Sequence, residues 1–170
     1  MKLVLIVIVL ACVALGAWAH WPKSALPPTA RADKVVVRKS GHVLELYEGA
    51  QLLRQYRVAL GGNPIGHKQQ EGDGRTPEGP YLLDYRNPGS SFHRALHISY
   101  PAPADVANAR KHGVSPGGLI MVHGVRNGLG WLGRLSTLVD WTDGCVAVTD
   151  ADIEEIWRVV PDRTPILIEP

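Results

Sequence analysis

The sequence predicts a mainly β domain with two short helices, preceded by an apolar N-terminal segment. Its 170 residues include 18 glycines and 13 prolines, a surplus that favours many short elements joined by turns over a helical bundle. Short β-branched and apolar runs recur between glycine-containing turns, which is typical of a β-meander. Helical signals are confined to two short stretches, 105–112 and 149–160.

The N-terminal segment has the three parts of a secretory signal. Lys2 supplies the positive charge, residues 3–19 are apolar, and the run ends in Ala17-Trp18-Ala19, which predicts cleavage after Ala19. The alternative is an uncleaved anchor, because a run of about 17 residues is at the lower limit for crossing a bilayer. Lipidation of Cys12 is the weakest option, since the apolar run continues beyond it. All three predict that the folded part works outside the cytoplasmic membrane.

Composition narrows the function classes further. Eighteen Lys and Arg against 16 Asp and Glu give a net charge of +2, too small and too evenly spread for nucleic acid to be the main ligand. The chain has two cysteines, and Cys12 lies in the N-terminal segment, so cleavage leaves Cys145 as the one thiol. An unpaired cysteine in an exported protein indicates catalysis, an intermolecular disulfide, or a small buried residue.

The remaining residues form one predicted domain. Residues 20–33 contain three prolines and little apolar periodicity, which predicts a linker, and the domain then runs over 34–170. A polar loop over 61–79 is long enough to suggest a functional role. The predicted strands are 35–37, 43–47, 52–60, 81–85, 95–100, 119–123 and 165–168.

The second predicted helix is the stronger one. Thr149 with Asp152 three residues later resembles a capping box. The residues that follow place apolar side chains on one helix face, and Pro161 ends the pattern. That face consists of Ile153, Ile156, Trp157 and Val160. The earlier helix, 105–112, is stopped by Gly113.

Two residues in this domain form a credible nucleophile and base. Cys145 follows Gly144, which permits a tight turn whose backbone amides converge on one point, as an oxyanion hole requires. His123 ends an apolar strand, and residues 124–144 are enough for a loop to return the chain beside that strand. An imidazole activates a thiol by taking its proton. Taken alone, His123 is better explained as a strand-end histidine bonded to a backbone carbonyl.

Chain order and motifs then identify a family. Papain-like peptidases and related cell-wall peptidases place Cys before His, the reverse of this sequence. The pair His123-Gly124 and the later 142–145 (Thr-Asp-Gly-Cys) resemble the L,D-transpeptidase catalytic domain, or YkuD domain, which carries His-Gly and then Ser/Thr-His-Gly-Cys. Residues 72–81 resemble its Gly-x-x-Thr-Pro-x-Gly segment, and 98–101 are also similar. The resemblance covers roughly 34–169 and implies an L,D-transpeptidase-like β-sandwich.

The resemblance also implies a reaction. Members of the family attack a peptidoglycan tetrapeptide stem at the L-centre of diaminopimelate, expel the terminal D-alanine and form a thioacyl-enzyme. A second stem's amine, water, or the lysine of a wall-attached lipoprotein then accepts the acyl group. Crosslinking, L,D-carboxypeptidase activity and amidase activity are therefore all implied, in a Gram-negative periplasm. No metal or organic cofactor is implied, and a membrane is a partner only if the N-terminal segment is uncleaved.

Site residues carry over by motif. The resemblance makes Cys145 the nucleophile and His123 the general base and acid. The carbonyl of Gly124 would orient the imidazole, and the amides of Asp143, Gly144 and Cys145 would hold the oxyanion.

Two positions depart from the family pattern. Asp143 replaces the signature histidine, and Ala147 stands where many members have Asn or Arg. Because a carboxylate facing the sulfur would raise the thiol pKa, we expect the Asp143 side chain to point away. Ala147 has no polar group with which to bind the carboxylates of the substrate. The sequence offers Arg126, Arg134 and Arg75 for that contact.

Four further residues are candidates for substrate or metal contact. His93 and His97 have i, i+4 spacing, but the alternation around them is strand-like and disfavours shared metal ligation. His97 is expected in the cleft instead. Trp141 and Trp131 are expected to line a groove for the stem peptide, with packing inside the loop as the alternative for both.

Two other functions compete with this interpretation. The departures at Asp143 and Ala147 also suit a non-catalytic peptidoglycan-binding module that retains the fold. A sortase-like transpeptidase shares the His-before-Cys order, but it expects an arginine on a strand after the cysteine, where this sequence predicts a helix.

Overall fold

A computed structural model describes residues 2–170 of the chain. The strands are β1 (Lys34–Arg38), β2 (Val43–Glu48), β3 (Gln51–Arg57), β4 (Gly79–Asn87), β5 (Ala95–Ile98), β6 (Met121–His123), β7 (Val146–Ala147) and β8 (Thr164–Glu169). The helices are α1 (Lys2–Ala19), α2 (Pro103–Lys111) and α3 (Asp150–Val159), with a 3-10 helix over Gly130–Thr137. The prediction of a mainly β domain is confirmed.

All eight strands belong to one sheet, in the order β3-β2-β1-β8-β4-β5-β6-β7. The sheet curls until its two ends meet, because the chain beyond β3 bridges to β7 through Ala59 and Ala147, and to the preceding loop through Gly61 and Thr142. The strands thus form a single curled sheet, and the finer expectation of an L,D-transpeptidase-like β-sandwich is not confirmed. The curl also covers backbone groups that an open edge would expose.

The core lies inside the curl and explains why these residues form strands. Three consecutive valines of β1 are buried, and β8 alternates buried Ile166 and Ile168 with the more exposed Leu167. Helix α3 closes the core with Ile153 and Ile156, as its predicted apolar face requires. Its N-cap is the predicted Thr149, whose side chain accepts a hydrogen bond from the amide of Asp152 at 3.1 Å.

The 3-10 helix was not expected. It is interrupted at Gly133, whose φ of 50° and ψ of -131° are not helical, so the segment consists of two short 3-10 turns on either side of this residue. Its position in the connection between β6 and β7 matters for function, because this connection spans the two predicted catalytic residues.

The N-terminal helix α1 is long and apolar enough to cross a membrane. Residues 20–33 contain no helix or strand, yet they lie against the domain. Lys23 forms an ion pair with Asp152 at 2.6 Å, and the backbone amide of Leu26 donates to Glu155 at 2.7 Å. The segment after α1 is therefore fastened to α3.

Candidate active site

The sheet brings Cys145 and His123 to one face. Strands β6 and β7 are parallel, with His123 opposite Ala147 and Val122 opposite Val146. Cys145 directly precedes β7, so its side chain shares the face that carries Met121 and His123. Both predicted catalytic residues line the same cavity, which has a volume of about 710 Å³.

A side-chain hydroxyl shapes the turn that presents the cysteine. The Thr142 hydroxyl donates to the carbonyl of Cys145 at 2.8 Å and accepts from the amide of Gly144 at 3.2 Å. The Gly144 amide is thus already occupied. The amides of Asp143 and Cys145 have no protein acceptor within residues 2–170, so two of the three expected oxyanion donors are free.

Two backbone groups, one at the start of β6 and one just before it, contact the sulfur. The amide of Met121 donates to Cys145 Sγ at 3.4 Å, and the thiol faces the carbonyl oxygen of Leu119 at 3.7 Å. Motif analysis missed both residues, because backbone contacts leave no signature in side-chain identity. Leu119 also has a φ of 56°, which is strained for a residue with a branched side chain.

The thiol is protonated at neutral pH. Burial raises the pKa of the Cys145 thiol, and the nearby carboxylate of Asp143 raises it further. The Met121 amide and the charge of Lys68 act in the opposite direction. Asp143 is exposed and lines the cavity with Cys145, and its charge acts on the thiol although its side chain was expected to point away.

The imidazole of His123 is held in one orientation. Its Nδ1 lies 2.6 Å from the carbonyl oxygen of Gly124; a carbonyl only accepts, so Nδ1 carries the proton and Nε2 is free. Phe92 and Trp141 pack against the ring, with centroid distances of 4.7 and 5.8 Å. Burial lowers the pKa of His123, which keeps the ring neutral and ready to accept a proton.

A side chain on the residue after His123 would disturb the contacts around Asp150. A Cβ at Gly124 would lie 2.7 Å from Asp150 Oδ1 and 3.0 Å from the Cβ of His93. The same carboxylate oxygen accepts the amide of Val125 at 2.7 Å. Asp150 therefore fixes the backbone turn whose carbonyl holds the imidazole.

The polar loop 61–79 lies behind the cysteine turn. Gly144 has a φ of 128°, and a Cβ there would lie 2.5 Å from the carbonyl oxygen of Arg75 and 3.2 Å from Ile120 Cδ1. The amide of Gly61 bonds to the Thr76 hydroxyl at 3.1 Å, which ties the start of the loop to its end. The segment that resembles the family motif thus supports the nucleophile from behind.

Replacing Gly144 with alanine is expected to lower the free energy of unfolding by about 2–5 kcal/mol, because the new methyl group meets backbone and φ is unfavourable. Denaturant titration of the purified protein measures this change. Gly62→Ala is the matched control, since nothing lies within 4 Å of a Cβ at Gly62. Equal stability of the two variants would contradict the close packing of Gly144 on the loop.

The cavity beside the two residues is mostly apolar. The 3-10 helix and its flanks contribute three leucines and Val139, and Trp141 forms part of the wall as predicted from the sequence. Arg126 also lines the cavity, in agreement with its expected role near substrate. Phe92, Met121 and Leu119 complete the wall and were not predicted.

Three other predicted contacts lie elsewhere. The 3-10 helix turns Leu132 and Leu135 into the cavity and directs Arg134 away, where its Nη2 donates to the carbonyl of Trp21 at 3.0 Å. Trp131 is exposed and does not line the cavity. The Arg75 side chain remains in its own loop, with Nη1 3.4 Å from the carbonyl oxygen of His67.

The two candidate histidines have separate partners. His97 pairs with Asp84 at 2.6 Å and stacks on Tyr85, one strand beyond Met121, so it does not line the cavity as expected. His93 bonds to Glu154 of α3 at 2.7 Å. Since the two rings face different carboxylates, they form no shared ligand pair.

Comparison with known proteins agrees with this architecture. The L,D-transpeptidase catalytic domain (YkuD) family matches residues 32–168. The Escherichia coli (strain K12) protein YafK, whose name assigns it to the L,D-transpeptidases, is 30% identical over 132 residues, which cover 74% of this chain and 46% of YafK.

Solved structures share the fold of this chain. The helical cell shape determining protein Pgp2 from Campylobacter jejuni has a TM-score of 0.60 at 27% identity, covering 83% of this chain and 48% of Pgp2. An L,D-transpeptidase from Xylanimonas cellulosilytica shares the fold, with a TM-score of 0.54 at 17% identity, covering 86% of this chain and 64% of that one. This chain spans about half the length of YafK and of Pgp2. The chain belongs to the L,D-transpeptidase catalytic domain (YkuD) family.

Proposed function

We propose that this protein is an exported cysteine L,D-transpeptidase that acts on peptidoglycan stem peptides through a thioacyl-enzyme. The observation that carries the proposal is the shared cavity of Cys145 and His123, with Nδ1 of the imidazole fixed by Gly124. A neutral thiol beside a neutral, oriented imidazole is the arrangement that general-base activation needs.

In the first half-reaction, Nε2 of His123 takes the proton of Cys145 Sγ while the sulfur attacks the substrate carbonyl carbon. The carbonyl oxygen becomes an oxyanion, and the amides of Asp143 and Cys145 donate to it. The protonated imidazole then gives its proton to the departing amine of D-alanine as the carbon–nitrogen bond breaks. The acyl group is left on sulfur as a thioester.

In the second half-reaction, His123 takes a proton from the acceptor, which attacks the thioester and regenerates the thiol. An amine of a second stem gives a crosslink, water gives L,D-carboxypeptidase chemistry, and a wall-attached lipoprotein's lysine joins that protein to the wall. Amidase chemistry results when that lysine amine, and not D-alanine, is the group expelled in the first half-reaction and water is the acceptor. Arg126 is the candidate for a substrate carboxylate, because it is the basic side chain that lines the cavity. Trp141 provides an apolar surface for the stem.

The N-terminal helix supports a proposal for the location of the protein. α1 is suitable as a signal or as a membrane anchor, both of which are consistent with export. We propose a periplasmic catalytic domain that is either released by cleavage after Ala19 or held at the inner membrane. The rest of the chain, 34–170, then acts as the catalytic domain, with 20–33 as the connection.

A second function is a peptidoglycan-binding module without catalysis. The specific observation in its favour is Asp143, whose carboxylate opposes formation of the thiolate. This alternative predicts binding to peptidoglycan that Cys145→Ala leaves unchanged, together with no product.

Mass spectrometry of muropeptides tests the proposal. The purified protein is incubated with tetrapeptide donors, with and without an acceptor stem. Loss of D-alanine alone indicates transfer to water, and a crosslinked dimer indicates transfer to an amine. Unchanged muropeptides in both reactions would favour the binding module.

The two pKa shifts predict a broad pH plateau. His123 must be neutral to accept a proton, and its pKa lies below the ordinary value of about 6.5, so activity declines only as the pH falls below that value. The thiol pKa is raised, so the sulfur keeps its proton up to a pH above the ordinary range for a cysteine. Measuring kcat/KM between pH 5 and 10 checks this. An acid limb with its midpoint above about 6.5 would contradict it.

A further inference from the structure

Two opposite charges face the cavity without partners. Asp143 and Arg126 are the carboxylate and the guanidinium that line it, and the remaining lining residues are apolar or neutral. Both side chains are exposed, and within residues 2–170 neither forms an ion pair or a side-chain hydrogen bond. Both charges are solvated in the free protein and lie beside an apolar wall, so each is available to an oppositely charged group of a ligand that enters the cavity.

Asp143 is also in an unfavourable place for the free protein. It precedes Cys145 by two residues, and three titratable or charged groups bear on that thiol: neutral His123, Asp143 and Lys68. The positive charge of Lys68 is buried and committed to Asp73 at 2.9 Å. The carboxylate of Asp143 has no such compensation, so it opposes the thiolate until something positive binds.

We propose that Asp143 binds an ammonium group of the donor peptide beside the attacked carbonyl, and thereby selects donors that carry an amine on that residue. The inference deepens the proposed function and rests on it for the identity of the donor. It assigns a role to the Asp143 side chain, whereas the reaction scheme above uses only its backbone amide.

The contact couples recognition to activation. An ammonium group at Asp143 cancels the negative charge near the sulfur, which makes transfer of the Sγ proton to His123 Nε2 easier. A donor without the amine leaves that charge in place. The thiol is therefore held in its unreactive, protonated form until the correct donor is bound.

Binding to a Cys145→Ala protein tests recognition without needing turnover. Calorimetry compares the peptide γ-D-Glu-L-Lys-D-Ala with the same peptide acetylated on the lysine amine, using the full chain in detergent. A charge-assisted contact predicts about 10-fold or tighter binding of the free amine. Adding Asp143→Asn is expected to reduce this ratio to near one. Adding Glu48→Gln, which removes an exposed negative charge outside the cavity, is expected to preserve it.

Thiol alkylation gives a second readout in the free protein. The rate of reaction with iodoacetamide is measured against pH for the protein with Cys145 intact. Asp143→Asn is expected to shift the midpoint to lower pH, and Glu48→Gln is expected to leave it unchanged. An Asp143→Asn midpoint equal to that of the unaltered protein would contradict the proximity on which the inference depends.

The outcomes separate the inference from the proposed function. Equal affinity for the two peptides, or binding of neither, overturns the role of Asp143 whatever the activity. Selective binding of the free amine, with no conversion of either peptide by the unaltered protein, supports Asp143 and overturns the transpeptidase proposal.

Discussion

Replacing Cys145 with alanine is expected to reduce donor turnover by at least about 10⁴-fold, because the thiol that forms the acyl intermediate is removed. The serine and threonine hydroxyls that also line the cavity are far weaker nucleophiles than a thiol. His123 and the free amides remain, yet they have no nucleophile to activate. Cys145→Ser keeps a proton donor at the same position, but an alcohol is much harder to deprotonate than a thiol. Loss of D-alanine from a tetrapeptide, followed by mass spectrometry, measures both variants.

The second cysteine supplies the control. Cys12 lies on α1 and is exposed, so Cys12→Ala is expected to leave turnover unchanged. Activity that is retained by Cys145→Ala and lost in Cys12→Ala would show that Cys12, and not Cys145, is the nucleophile. Comparable stability of Cys145→Ala and the unaltered protein shows that any loss comes from chemistry and not from unfolding.

Replacing His123 with alanine is expected to lower kcat/KM by about 10²–10⁴-fold, the usual contribution of a positioned general base. The thiol then has to ionise unaided, and burial raises its pKa, so the reactive fraction at neutral pH is small. The residual activity should increase with pH as the thiolate forms. The plateau expected for the unaltered protein is lost in this variant.

The control for His123 is His112→Ala, an exposed histidine after α2 whose ring bonds only to its own helix. This variant is expected to retain full activity and the same pH profile. A His123→Ala protein with an unchanged plateau would show that another group takes the thiol proton. Partial restoration by added imidazole would support the assigned role.

Local patterns predicted the elements that carry the site. His123 ends a β-strand and Cys145 follows a glycine turn, and both features depend on neighbouring residues alone. Helix α3 begins at its predicted cap, because Thr149 and the apolar face act within a few turns. The pairing of His123 with Cys145 was inferred from their chemistry and separation along the chain, and the parallel register of β6 and β7 explains how they meet.

Local sequence patterns could not predict the long-range contacts of the sheet. The sheet closes through Ala59 and Ala147, residues far apart in sequence and with no distinctive chemistry, so the single curled sheet was not predicted. The short 3-10 turns on either side of Gly133 were not predicted either, because strand and α-helix periods do not detect such short elements.

Side-chain direction explains the misplaced substrate contacts. Arg134 and Arg126 belong to the same connection, yet only Arg126 lines the cavity, because the 3-10 helix points Arg134 toward Trp21. His97 lies on β5 as predicted, but its side chain bonds to Asp84 and does not enter the cavity. Residue type suggested all three, and only tertiary packing distinguishes them.

Intact-protein mass spectrometry after brief exposure to a tetrapeptide donor tests the thioacyl mechanism most directly. We predict an added mass equal to the donor minus D-alanine, mapped by proteolysis to the peptide containing Cys145 and removed by hydroxylamine. Cys145→Ala should acquire no such mass. Release of D-alanine without any adduct on Cys145 under rapid quenching, or an equal adduct on Cys145→Ala, would contradict the mechanism.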